Sequence, residues 1–174
     1  MCDEQTELSN ETFFRNAGDL SRRGFGVMSM AALAACATSP EGAKTVAEQE
    51  VKITSPDGVI DAHFVAPTSG KHPAVLVWPD IMGLRPAFRV MGKRLAESGY
   101  AVLTVNPFYR SQAGAVIAEG EKFSDPPVRA RLIPLMQAAV NDPENTRKDA
   151  IAAIAWLDQQ KQVDTKKGVG TTGF

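Results

Sequence analysis

The sequence has 174 residues, enough for one ordinary domain, and 44% of them are apolar while 22% are charged. These fractions are close to the globular average, so disorder, collagen and coiled coil are excluded as whole-chain descriptions. With 20 acidic and 19 basic side chains the net charge is -1, which leaves no overall field to recruit nucleic acid. Two cysteines exclude a disulfide framework, and two histidines are too few for a multi-histidine metal site.

Residues 1–37 have the organisation of an export signal. A polar leader precedes Arg22 and Arg23, and an apolar run of about 11 residues then extends over 27–37. A membrane span needs roughly 20 apolar residues, so this run predicts a signal segment rather than a transmembrane anchor. The arginine pair, with Phe25 two positions later, resembles a twin-arginine signal, which implies export by that machinery to the periplasm. The alternative is a chance arginine pair ahead of a short buried helix.

The end of this apolar run resembles the lipobox of bacterial lipoproteins. It reads Leu33-Ala34-Ala35-Cys36, and by that resemblance Cys36 would carry a lipid and anchor the protein to a bacterial membrane. The competing interpretation is ordinary signal cleavage at the small residues around Cys36. In both cases the soluble part begins near residues 36–38, and residues 38–49 are expected to form a linker.

The remaining sequence alternates predicted strands and helices, which indicates an α/β fold. Alternating residues and a Ser-Pro-Asp-Gly turn predict an antiparallel hairpin first, and two continuous apolar runs predict strands buried on both faces of a parallel sheet. A helix between these two runs makes a strand–helix–strand crossover. The predicted strands are 51–54, 59–65, 74–78, 100–105 and 168–174. The predicted helices are 86–98, 128–140 and 143–160, and Pro134 is expected to bend or split the second.

Two patterns resemble functional motifs, but their positions in the sequence favour a structural role. Gly168, Gly170 and Gly173 form a G-x-G-x-x-G pattern, but the dinucleotide fingerprint must follow a strand and open a helix, and here the glycines lie inside a predicted strand. Asp61 and His63 share one face of a predicted strand. No serine or cysteine is placed to work with them, so a surface pair is predicted instead of a nucleophile and its base.

The segment after the strand 74–78 carries the most information about function. Open α/β sheets bind ligands at the carboxyl ends of their strands, and Trp78-Pro79-Asp80-Ile81-Met82-Gly83-Leu84 lies at such an end. A plain loop capped by Asp80 is the alternative. Together with 96–102 and 106–110, the stretch 73–84 resembles the dienelactone hydrolase family of α/β-hydrolases. The resemblance covers about residues 50–174 and corresponds to the N-terminal half of the family domain.

The resemblance implies a mostly parallel sheet with flanking helices, truncated before the nucleophile elbow. In that family a strand of this kind ends G-[FY]-C-x-G-G, and the cysteine is the nucleophile. Gly173 and Phe174 match the first two positions, so the nucleophile is expected directly after Phe174 and the family's aspartate and histidine on later strands. A cysteine hydrolase of small esters or lactones is thereby implied, without metal or organic cofactor, and residues 1–174 alone are expected to be inactive.

The resemblance also assigns roles to three residues. The backbone N–H of Ile81 is expected in the oxyanion hole, because a backbone donor tolerates any side chain except proline. Asp80 stands where the family typically has glutamate and is expected to contact the nucleophile. Arg129 is expected to bind a substrate carboxylate through two parallel hydrogen bonds, with a solvated helix face as the alternative. The rival to the whole interpretation is a non-enzymatic exported binding module on a flavodoxin-like sheet.

Overall fold

The computed structural model describes residues 42–174, and a compact unit extends over Ala43–Phe174. The predicted signal segment, with Arg22, Arg23 and Cys36, lies outside the described residues. Among the residues that are described, no helix has the length and apolar character needed to cross a membrane.

The sheet begins with the predicted antiparallel hairpin. β1 (Val46–Ser55) pairs with β2 (Gly58–Pro67) over its whole length, from Val46 opposite Pro67 to Ser55 opposite Gly58. The strand thus begins at Val46 and not at 51, so the prediction of a linker over 38–49 is wrong for its last four residues. Residues 47–50 are exposed at the edge of the sheet and carry no apolar alternation that would reveal a strand.

The other three strands are parallel to one another. They are β3 (Ala74–Trp78), β4 (Ala101–Val105) and β5 (Gly170–Gly173). The sheet order is β1-β2-β4-β3-β5, with β3 parallel to both β4 and β5 and with β2 antiparallel to β4. The result is a mixed sheet in which a parallel section follows an antiparallel hairpin. Val77 and Leu103 are fully buried in this section, as expected for strands covered on both faces.

Helices cover the two faces of the sheet. They are α1 (Pro86–Glu97), α2 (Pro126–Val140) and α3 (Pro143–Leu157). Phe88 and Ala96 of α1 pack on one face, and Ala153 and Leu157 of α3 pack on the other. Pro134 lies inside α2, which remains one helix instead of splitting. The predicted cap of α3 is confirmed, since the Asp142 carboxylate accepts a hydrogen bond from the Glu144 N–H at 3.0 Å.

His63 is buried, so the prediction of a surface pair with Asp61 is wrong. Helix α1 covers this face of β2, and the His63 side chain is 4% exposed with its Nε2 3.3 Å from a Glu48 carboxylate oxygen. Burial, and then the charge of Arg89, lowers the pKa of His63, because both disfavour the imidazolium form. Asp61 instead accepts hydrogen bonds from the Asn106 side chain, at 3.0 and 3.2 Å.

A polar network ties the loop after β4 to the hairpin and to α3. Buried Asp149 accepts hydrogen bonds from two guanidinium nitrogens of Arg110, both at 2.8 Å, and from the Tyr109 hydroxyl at 2.7 Å. Ser55 lies 2.7 Å from the same hydroxyl, and Arg110 also donates to Asp57 at 2.8 Å. Burial raises the pKa of Tyr109 to about 12. Burial disfavours the charged form of Arg110, but the hydrogen bonds that its guanidinium donates to Asp149 and Asp57 outweigh this and raise its pKa.

Candidate active site

A tight turn follows β3 directly, over residues 80–83. The Gly83 N–H donates to the Asp80 carbonyl at 2.8 Å, and the Met82 N–H donates to the Asp80 carboxylate at 2.9 Å. Gly83 has a φ of +68°, a left-handed conformation that glycine adopts without steric cost. Asp80 therefore closes the turn twice, once through its backbone and once through its side chain.

The turn leaves one of its amide groups without an acceptor. Met82 and Gly83 both donate to Asp80, whereas the Ile81 N–H has no hydrogen-bond acceptor within residues 42–174. A free backbone N–H beside a cleft can bind an oxygen atom that develops negative charge, which is the function of an oxyanion hole. The geometry of the turn thus leaves Ile81 available for the role that the family resemblance implies.

A cleft of about 300 Å³ opens beside this turn. It lies at the carboxyl ends of the parallel strands, where the ligand sites of open α/β sheets are found. Its lining is largely apolar with a few polar side chains, as is usual for small-molecule sites. The lining residues are Trp78, Pro79, Asp80, Ile81, Pro107, Phe108, Met136, Ala139, Val140, Thr146, Asp149, Gly173 and Phe174.

Arg85 is the residue at this site that sequence reasoning missed. Its guanidinium donates from both terminal nitrogens to the two carboxylate oxygens of Asp80, with Nη2 to Oδ2 at 2.9 Å. Asp80, Arg85 and Pro86 lie within seven residues of one another in the sequence. No sequence motif shows, however, that Asp80 and Arg85 form a partly buried ion pair. The expected contact between Asp80 and a nucleophile stays a prediction, because the position expected for the nucleophile follows Phe174 and is not among the described residues.

The structure does not bring Arg129 to the cleft. Arg129 is exposed on α2 and is absent from the cleft lining, so its role in binding a substrate carboxylate stays a prediction. Its neighbour Arg131 is paired with Glu121 at 2.6 Å.

Neither histidine is placed to act as a base at the cleft. His63 lies under α1, and His72 is buried between the carbonyl oxygens of Ser69 and Gly99, at 2.8 and 3.1 Å. Neither belongs to the cleft lining. Within residues 42–174 no cluster of histidine, cysteine, aspartate and glutamate side chains is arranged to hold a metal ion.

Comparison with known proteins agrees with an α/β-hydrolase fold. The sequence profile of the dienelactone hydrolase family matches residues 60–174. A protein of Methylorubrum extorquens with the provisional name carboxymethylenebutenolidase is 28% identical over 164 residues, which cover 89% of this chain and 53% of that protein. The chain belongs to the dienelactone hydrolase family, and it spans about half the length of the relatives it matches.

Two solved structures illustrate the similarity in fold. A dienelactone hydrolase-like phosphotriesterase from metagenomic libraries is 27% identical, with a TM-score of 0.60 over 76% of this chain and 50% of that chain. A Klebsiella pneumoniae protein described provisionally as a dienelactone hydrolase is 20% identical, with a TM-score of 0.59 over 75% of this chain and 50% of that chain. The second likeness concerns the fold alone. The flavodoxin-like alternative is wrong for the fold, because β2 is antiparallel to both of its neighbours.

Proposed function

We propose that this chain is the N-terminal half of an exported hydrolase of small carboxylic esters or lactones. The cysteine nucleophile follows Phe174, and the aspartate and histidine of the triad lie on later strands of the same protein. The Ile81 N–H binds the oxyanion that forms when the thiolate attacks the carbonyl carbon. No metal or organic cofactor is required for this chemistry.

The register of β3 and β5 is the observation that supports this proposal most. Trp78 lies opposite Gly173 in the parallel pairing, and Trp78, Ile81 and Phe174 all line the cleft. Continuing the same register sets the residue after Phe174 beside Asp80, at the start of the turn that leaves the Ile81 N–H free. A nucleophile at that position would be next to an oxyanion donor, as acyl transfer requires.

Activity measurements on a longer polypeptide test this assignment. We expect the reading frame beyond residue 174 to encode cysteine next, and the longer protein to hydrolyse p-nitrophenyl acetate and a simple unsaturated lactone. Replacing that cysteine with alanine should lower kcat by about 1,000-fold or more. Residues 1–174 alone should give no turnover above buffer, because the cysteines Cys2 and Cys36 both precede the folded unit. Full activity in the alanine variant would overturn the proposal.

Export is proposed on the sequence of residues 1–37. Replacing Arg22 and Arg23 together with lysine should retain the precursor in the cytoplasm, because the receptor of the twin-arginine route reads the arginine pair. Replacing Cys36 with alanine should leave export intact and abolish labelling with a radioactive fatty acid. Cell fractionation and lipid labelling give the two readouts. Normal export of the double lysine variant would refute the twin-arginine assignment, and label on the alanine variant would refute lipidation.

A further inference from the structure

We infer that Arg85 is a positioning residue, which acts through Asp80 on the turn 80–83, the oxyanion turn. The ion pair between Arg85 and Asp80, the brace, holds this turn in shape. The inference rests on the proposed function for its catalytic meaning, because it concerns the residue that orients the Ile81 N–H. The structural part of the inference, that one arginine holds the turn in shape, depends only on the observed contacts.

The brace is a bidentate ion pair that is partly buried. Both terminal nitrogens of Arg85 donate to the Asp80 carboxylate, and the two side chains are 20% and 32% exposed. The Arg85 guanidinium carbon also lies 4.8 Å from the ring centre of Phe88. A planar guanidinium matches a carboxylate with two parallel hydrogen bonds, which fixes orientation as well as distance. The Asp80 side chain is consequently held in one position.

Arg85 is itself anchored on a rigid element. It is the N-cap residue of α1, with an extended backbone, and Pro86 begins the helix directly after it. Proline at the first helical position has its φ preset for the helix, so the direction of the chain leaving the turn is constrained. The guanidinium therefore connects the end of β3 to the start of α1 across the turn.

Aspartate at position 80 also suits the turn itself. An aspartate carboxylate reaches the N–H two residues ahead of it, and the Asp80 carboxylate accepts from the Met82 N–H at 2.9 Å. The longer side chain of glutamate does not form this turn in the same way. With Met82 and Gly83 both bound to Asp80, the Ile81 N–H is the amide of the turn that remains for a ligand. Asp80 thus acts on the reaction through the backbone that it holds.

Amide hydrogen exchange of the 174-residue chain tests the brace without any need for catalysis. NMR exchange rates of Met82 and Gly83 should rise about three- to tenfold in Arg85→Gln, because the carboxylate that accepts from the turn loses its partner. Arg85→Lys should give a smaller rise, since lysine keeps the charge and loses the paired geometry. Arg89→Gln is the matched control. Arg89 pairs with Glu50 on β1, away from the turn, and its loss should leave both rates unchanged.

Each outcome of these measurements decides the inference. Unchanged exchange at Met82 and Gly83 in a folded Arg85→Gln protein would overturn it. If circular dichroism shows that this variant does not fold, Arg85→Lys decides by the same criterion. In the longer, active protein Arg85→Lys should lower kcat and leave KM nearly unchanged, because the free N–H acts on the transition state. An inactive wild-type protein would count against the proposed function, while the exchange rates would still report on the brace.

Discussion

Replacing Gly83 with alanine is expected to lower the free energy of unfolding by about 2–5 kcal/mol. The φ of +68° costs a residue with a Cβ roughly 1–2 kcal/mol. That Cβ would also lie 2.9 Å from a methyl carbon of Val116 and 3.4 Å from the Phe108 ring, and both side chains are buried. Crowding of this kind in a packed core costs roughly 1–3 kcal/mol. Urea denaturation followed by circular dichroism measures the difference.

Gly120→Ala separates the two contributions. Gly120 also has a positive φ, of +83°, but a Cβ there would meet nothing within 4 Å. Only the cost of the backbone conformation remains, so Gly120→Ala should lower the free energy of unfolding by about 1–2 kcal/mol. Equal losses in the two variants would mean that the contact of the turn with Val116 and Phe108 is not tight. A larger loss of stability in Gly83→Ala would show that the turn 80–83 is packed against the loop after β4.

Replacing Asp149 with alanine is expected to cost about 2–4 kcal/mol of stability. The change leaves the Arg110 guanidinium, whose side chain is 20% exposed, without its main partner and removes one acceptor from the Tyr109 hydroxyl. Removing one member of a buried ion pair costs roughly 3–5 kcal/mol, and the remaining pair between Arg110 and Asp57 lessens the loss. The cleft should change as well, because Asp149 also lines it. Urea denaturation at neutral pH gives the magnitude.

Glu144→Ala is the control for Asp149, since both residues lie on α3 and pair with arginine. Glu144 and Arg147 are 58% and 61% exposed, and such solvent-exposed pairs contribute at most about 1 kcal/mol. A loss in Glu144→Ala as large as that in Asp149→Ala would point to a general effect of charge on the helix. A loss confined to Asp149 would assign the stability to the network.

The strands that the sequence predicts best are the apolar ones that are covered on both faces of the sheet. The run 74–78 coincides with β3 because a strand covered on both faces has no polar positions to obscure its ends. The sequence predicts a start of β1 that is five residues too late, because the first half of this strand is exposed and largely polar. The sequence predicts a surface position for His63, because alternation within one strand does not reveal that a helix covers its polar face. Tertiary packing supplied that information.

The candidate site was only partly predictable for the same reason. Asp80 and Ile81 could be located because they follow a buried strand in a segment that resembles a known family. The pairing of Arg85 with Asp80 depends on the path of the turn, which no spacing rule specifies. The role of Arg129 is predicted from its place along the chain, and the face of α2 that it occupies is known only once the helix is packed.

The polar network also bears on where this protein can accept added sequence. The turn between β1 and β2 has the composition of a surface hairpin, a kind of site that usually tolerates insertions. Asp57 in that turn binds Arg110 and Lys148, and a Cβ added at Gly58 would lie 3.5 Å from the Tyr109 ring. A tag or a grafted peptide placed there would disturb the residues that hold Asp149 in the cleft wall. Gly120, in open space on another loop, is the better position for such a graft.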